Sequence, residues 1–355
     1  MESFIYQAQP ARVIFGSGTA AQLADEAQRL GLKRLLILCT PGQAALAERA
    51  RQWAGERVVG IFAGATMHTP VDVTERALRV VQDLHADGVV SIGGGSTIGL
   101  GKAIALRTDL PQIVLPTTYA GSEMTPILGE TKDGLKTTQR SPRILPETVI
   151  YDVDLSLSLP SPISALSAFN AIAHAVEALY APDTNPIISL MAQEGVRTLV
   201  RALPQLIETP HDPAVRSDML YGAWLCSYCL GNTTMGLHHK LCHTLGGAFN
   251  LPHAETHTIV LPYVLEFNAP VIPDAMARLC HAMNDDDPVN TLLALERACR
   301  IPMALKDIGM PEEGIAGAVQ QLLANPYANP RPLETIELTT LLEHAWAGTG
   351  SRAIG

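Results

Sequence analysis

Five of the eleven histidines fall between Gly236 and Pro262, in the segment GLHHKLCHTLGGAFNLPHAETHTIVLP. His239 and His243 stand four residues apart, so on a helix they share one face. His253 follows a Gly-Gly break and a proline, as though a loop returned it toward that face. Imidazole suits both proton transfer near neutral pH and metal ligation, and this spacing permits either job. A second pair repeats the pattern: in the apolar run AFNAIAHAVE, Asn170 and His174 also stand four apart. Polar groups on a buried helix face must find partners. A lone histidine there would be a hydrogen-bonded core residue; two matching pairs point to a shared site. His238 and His257 read as surface or supporting residues, and His68, His85, His211 and His281 as structural ones.

The glycine-rich turns suggest a second chemistry. Val89-Val90-Ser91-Ile92 runs into Gly93-Gly94-Gly95-Ser96 and then a helical stretch. Glycines there let backbone N–H groups approach a phosphate, and the helix N-terminus adds a favourable dipole. The bland alternative is a tight strand–helix turn without a ligand. Against it stands a second polar turn, PTTYAGSE from Pro116 to Glu123, at the end of the next strand. Both turns would lie along the sheet edge where open α/β sheets bind ligands. Neither a Walker motif nor a dinucleotide fingerprint fits GGGS, because Ser96 and Ala103 break the first and Ile98 the second. Gly16-Ser17-Gly18-Thr19-Ala20-Ala21 fits G-x-G-x-x-A on paper, but two glycines beside a helix start are a weak signal.

The elements that must carry these residues differ along the chain. Arg12–Phe15, Arg34–Leu38, Val58–Phe62, Gly88–Ile92 and Gln112–Leu115 read as strands, with helical periodicity between them at Thr19–Leu30 and Val71–Ala86. Such alternation predicts an α/β domain with a parallel sheet. Beyond Pro160 and Pro162 the pattern turns helical, at Ala165–Leu179, Ile187–Ala202, Ala214–Leu230 and Thr291–Cys299. A boundary near residue 157 follows, with an α/β domain over 1–157 and an all-α domain over 158–355.

Composition excludes several classes. A net charge of −10 with no basic run argues against nucleic-acid binding. No stretch supplies the ~20 apolar residues of a membrane span, and the N-terminus lacks a secretory pattern. Six scattered cysteines fit reduced thiols in the cytoplasm better than a disulfide framework. Cys226-Ser-Tyr-Cys229 matches a redox pair in form, yet the run YGAWLCSYCLG around it reads as a buried helix.

GGGST, PTTYAGSE, the NAIAHAVE helix and GLHHKLCHTLG with the later Pro252-His253 resemble, in order and spacing, the iron-containing alcohol dehydrogenase family. The resemblance spans nearly the whole chain. It implies a dinucleotide-binding α/β domain, an all-α domain and a homodimer. That family's metal ligands, an Asp and three His, fall on Asn170, His174, His239 and His253, and a further histidine near the nicotinamide falls on His243. Gly93, Gly94, Gly95 and Ser96 fall at the pyrophosphate, and Thr117, Thr118, Ser122, Thr125 and Lys136 along the rest of the dinucleotide.

One departure matters most: the carboxylate position is Asn170, so three neutral imidazoles and a neutral amide remain, and no metal is expected. Ala254 also stands where the family has glycine. With MHTP at 67–70 and LPHAETHTIVLP at 251–262, these departures look like a particular branch of the family. Members of that branch use NADH or NADPH to reduce the C=C bond of a small dicarboxylate enone in bacterial breakdown of aromatic rings. The former ligands Asn170, His174, His239 and His253 would then donate hydrogen bonds to an enolate, with His243 or His253 as general acid. Lys240, Arg140 and Arg143 are the candidate cations for the substrate carboxylates, although a solvated surface lysine is an equal reading of Lys240. Thr40-Pro41 stands where many relatives carry an Asp for the ribose, so use of both NADH and NADPH is expected. The rival reading is a metal-dependent alcohol or aldehyde reductase of the same family that tolerates Asn170 as a ligand.

Overall fold

The structure, a computed structural model, describes residues 4, 6–8, 12–132 and 135–349. By internal contacts the chain forms two compact units: Gln7–Leu159 with His211–Leu220, and Pro160–Pro210 with Tyr221–Gly355 and the N-terminal Met1–Tyr6.

Among the described residues the first unit has eight strands: β1 (Arg12–Gly16), β2 (Leu35–Leu38), β3 (Val58–Phe62), β4 (Gly88–Gly93), β5 (Gln112–Pro116), β6 (Ile127–Lys132), β7 (Leu135–Arg140) and β8 (Thr148–Asp152). Its helices are α1 (Leu23–Arg29), α2 (Ala44–Ala54), α3 (Val71–Asp83) and α4 (Gly95–Thr108). Six strands form a parallel sheet in the order β1-β8-β5-β4-β2-β3, while β6 and β7 pair separately as an antiparallel hairpin. Side chains alternate across a strand. Leu35 and Ile37 therefore pack with Leu23, Ala47 and Ala50 on one face, and Leu36 and Leu38 with Val73, Ala77 and Ile104 on the other. Apolar cover on both faces is what makes β2 and β4 continuous buried runs rather than alternating ones. The five expected strands are present; β6, β7 and β8 are additional. The order reverses between β2 and β4, so the turns leaving those strands open at a topological switch point.

The second unit is helical: α5 (Ser161–Leu179), α6 (Pro186–Glu208), α7 (Pro213–Asn232, whose first residues pack in the α/β unit), α8 (Leu237–Phe249), α9 (His253–Asn268), α10 (Pro273–Met283), α11 (Pro288–Ala298), α12 (Gly314–Ala324) and α13 (Thr335–Ala347). The helix α5 is buried from Ala168 to Leu179, which its Ala-rich sequence allows. Asn250 closes α8 in a left-handed conformation (φ 52°), and Leu251-Pro252 turns the chain into α9, which opens on His253. Cys226 and Cys229 lie buried in α7 with their thiol pKa values raised by burial, the inert state a redox pair does not have. No helix among the described residues is long and apolar enough to cross a membrane.

Candidate active site

Three helices of the second unit each supply polar residues at helical spacing: Asn170, His174 and Glu177 from α5, His238, His239, Cys242 and His243 from α8, and His253 and His257 from α9. The two predicted pairs thus meet in one cluster. His174 and His239 stack with ring centroids 5.1 Å apart, and both are buried. His243 and His253 are exposed, stacked at 6.3 Å, and His243 lies edge-on to His239 at 6.3 Å. The cluster therefore runs from a buried end to a solvent end. Asn170 Oδ1, His174 Nδ1 and His239 Nε2 are buried without a protein partner. Burial and the neighbouring His239 and His253 hold His174 well below the usual imidazole range, so it is neutral at pH 7.

Glu177 organises the buried end. This carboxylate, 1% exposed, accepts the backbone N–H of Gly236 (2.9 Å) and of His238 (2.7 Å) at the N-terminus of α8. An anion there is favoured by the helix dipole. The same carboxylate meets His239 Nδ1 at 2.7 Å, which directs Nε2 away from it and fixes the tautomer. Gly236 is needed for this approach, since a side chain on it would come within 3.0 Å of Glu177 Oε1.

Of their two expected places, surface or supporting, His238 and His257 take the supporting one. Both are fully buried and bond each other, Nε2 to Nδ1, at 3.0 Å, because the facing turns of α8 and α9 bring them together. His257 also packs against the exposed His253 at 4.3 Å between centroids. Burial depresses the pKa of both His238 and His257. Lys240 places its ammonium over the Tyr327 ring at 5.1 Å and, with His243, Thr244, Gly247, Ala248 and Gln321, lines an open pocket.

In the α/β unit, Gly93 ends β4 and Gly95 and Ser96 open α4, with no side-chain cap on the helix amides. A side chain on Gly94 would come within 2.9 Å of Thr118, so the glycine lets the two turns close together. Gln43 spans the strand ends: Thr40 Oγ1 donates to Gln43 Oε1 (3.1 Å), and Gln43 Nε2 donates to Thr117 Oγ1 (3.0 Å). Ser122 and Thr125 face a buried lysine, Lys102, whose ammonium donates to both hydroxyls. Lys136 lies on β7 with its side chain outside the described residues. Arg140 and Arg143 are exposed, and Arg143 lies 3.8 Å from Asp109. The paper match at Gly16–Ala21 is structural: the Asp152 carboxylate accepts the amides of Gly18 (3.0 Å) and Ala20 (2.8 Å) that a phosphate would need.

A doubly covered parallel sheet with a glycine-rich switch point and a separate helical unit bearing the histidines define a class. Residues 10–153 match the iron-containing alcohol dehydrogenase family and residues 164–346 its C-terminal part. The chain belongs to the iron-containing alcohol dehydrogenase family. Among its relatives, a maleylacetate reductase of Burkholderia cepacia is 51% identical, covering 98% of this chain and 99% of that one. Another maleylacetate reductase, from Sphingobium indicum, is 50% identical over 97% of this chain and 98% of its own length. The crystal structure of maleylacetate reductase from Agrobacterium tumefaciens superposes with a TM-score of 0.96 at 49% identity, covering 98% of this chain and 99% of that chain.

The family's metal must be tested against these donors. The set Asn170, His174, His239 and His253 contains no anion, and the unpartnered Asn170 Oδ1 is a neutral amide oxygen. Such a set holds a divalent ion more weakly than an Asp and three His would, because it lacks the one anionic ligand. A different trio, His238, Cys242 and His257, has ligating atoms within 4.8 Å of one another. Within it His238 Nε2 and His257 Nδ1 bond each other at 3.0 Å, while His238 Nδ1 and His257 Nε2 have no protein partner. The sequence reading missed Glu177, Gln43 and Lys102. Glu177 carried a readable signal, a carboxylate three residues beyond His174 on an otherwise apolar helix.

Proposed function

We propose that this chain is an NADH- or NADPH-dependent maleylacetate reductase that converts the substrate to 3-oxoadipate without a metal. The observation that carries this reading is the buried cluster of Asn170, His174 and His239, with unpartnered polar atoms and no anionic ligand. The full-length relatives at about 50% identity support the substrate.

A bound reduced nicotinamide would supply hydride to the alkene carbon β to the ketone, and the C=C electron pair would leave an enolate for this chain's residues to hold. Asn170, through its Nδ2–H, and His239 face that developing oxyanion. Glu177 holds His239 at Nδ1, which leaves its unpartnered Nε2 to face the substrate. Loss of one oxyanion donor typically costs ~10²–10³ in rate. The α-carbon is then protonated by His243 or His253, whose exposure lets either reload from solvent. The GGGS turn and α4 N-terminus bind the pyrophosphate, with Thr117, Thr118, Ser122, Thr125 and Lys136 along the dinucleotide. Lys240 attracts a substrate carboxylate. Six unpaired cysteines support a reducing compartment, the cytoplasm, and the resemblance supports a homodimer.

The Glu177–His239 pair is the observation that favours the metal-dependent rival, since ligating histidines are commonly oriented by a carboxylate. Dinucleotide oxidation separates the substrates. Rapid turnover with maleylacetate and little with simple aldehydes is expected; the reverse preference contradicts the proposal.

A further inference from the structure

Lys102 sits two turns into α4, the helix that begins at the glycine-rich turn, and is 0% exposed. Its ammonium donates to Thr125 Oγ1 (2.9 Å), the Ile127 carbonyl (2.9 Å), Ser122 Oγ (3.2 Å) and the Ser122 carbonyl. All four acceptors belong to one short stretch, the turn after β5 that leads into β6. The other end of that loop is tied to β4, where Thr117 N–H donates to the Gly93 carbonyl at 3.0 Å. Between the ties, Glu123 points elsewhere and accepts the Tyr151 hydroxyl at 2.8 Å.

A buried ammonium is costly, and an apolar side chain of similar length would fill the space without that penalty. Burial pushes the Lys102 pKa down to about 7, and the opposing charge of Glu123 raises it only in part. What the lysine supplies is shape. Carbonyl and hydroxyl oxygens that point at one ammonium hold the turn in a fixed curl. Thr118, on the same loop, lies against Gly94, so the loop's curl sets the width of the phosphate-binding turn.

We propose that Lys102 is a positioning residue that holds the Ser122–Ile127 turn in its dinucleotide-binding shape. The inference rests on the dinucleotide reading above and adds a residue that never touches the cofactor. The test compares NADH dissociation constants, by fluorescence titration, and steady-state kinetics for wild type, Lys102→Met and Lys102→Gln. Charge-assisted bonds of this number make a rise of about tenfold or more expected in Lys102→Met, with a smaller rise in Lys102→Gln, which keeps one donor. The kcat at saturating NADH should fall far less than the affinity. Unchanged NADH affinity in a folded variant overturns the inference. So does failure of both variants to fold, which assigns the lysine to general stability. Wild type that binds no nicotinamide dinucleotide instead overturns the functional reading on which the inference stands.

Discussion

At the residue scale the account turns on one buried carboxylate and one amide. Glu177 both accepts the first amides of α8 and fixes the tautomer of His239. Glu177→Gln keeps the volume but replaces the carboxylate that accepts from His239 Nδ1. Turnover should fall about 10–100-fold with the KM for NADH little changed, measured by steady-state kinetics. Asn170→Asp supplies the missing anion, so the purified variant should retain more divalent metal than wild type on elemental analysis. Lys240→Met should raise the KM for maleylacetate and leave that for NADH alone; equal effects on both refute its assignment. The histidine pairs were legible because i, i+4 spacing survives in sequence, whatever the fold around it. His238 and His257 were not, since nothing local distinguishes a histidine facing another helix from one facing water. The packing of α8 on α9 brings that pair together.

Elements were legible in proportion to how local their signals are. Strands β1 to β5 alternate with helices, and their apolar runs are bounded by turn residues. The hairpin β6–β7 reads ILGETK and LKTTQR, too polar to signal strands, although Asp133-Gly134 between them is a local turn signal. Strand β8 stands second in the sheet order, between β1 and β5, a non-local placement. The Gly16–Ala21 turn shows why a motif alone misleads: Asp152, far away in sequence, takes up its amides. The glycine turn at β4 is different in kind. Gly93 has φ 154°, and a side chain on it would lie 2.6 Å from Thr97 Oγ1 and 2.7 Å from Gln43 Oε1. Gly93→Ala should therefore lower stability by about 1–3 kcal/mol and weaken NADH binding, read by denaturant melts and titration.

At the scale of the molecule, the buried histidines couple stability to pH. His174, His238 and His257 are all depressed below the ordinary value of 6.5, chiefly by burial. The unfolded chain binds protons at those residues before the folded one does, so stability is full above about 6.5 and is lost as pH falls below it. The melting temperature should drop between roughly pH 7 and pH 5, and His174→Gln should flatten that slope. The sequence pattern changes near residue 157, and the compact units part between Leu159 and Pro160. The grouping of His211–Leu220 with the sheet unit was not legible, because it depends on the buried Arg216, which donates to the Tyr119 hydroxyl (3.1 Å) and the Leu159 carbonyl (2.6 Å). The most direct test of a metal-free reductase is the rate of NADH oxidation with maleylacetate after exhaustive chelation, with residual metal measured on the same sample. An undiminished rate at negligible metal content is the expected result. A rate that collapses and returns on adding Fe²⁺ or Zn²⁺ would contradict the account.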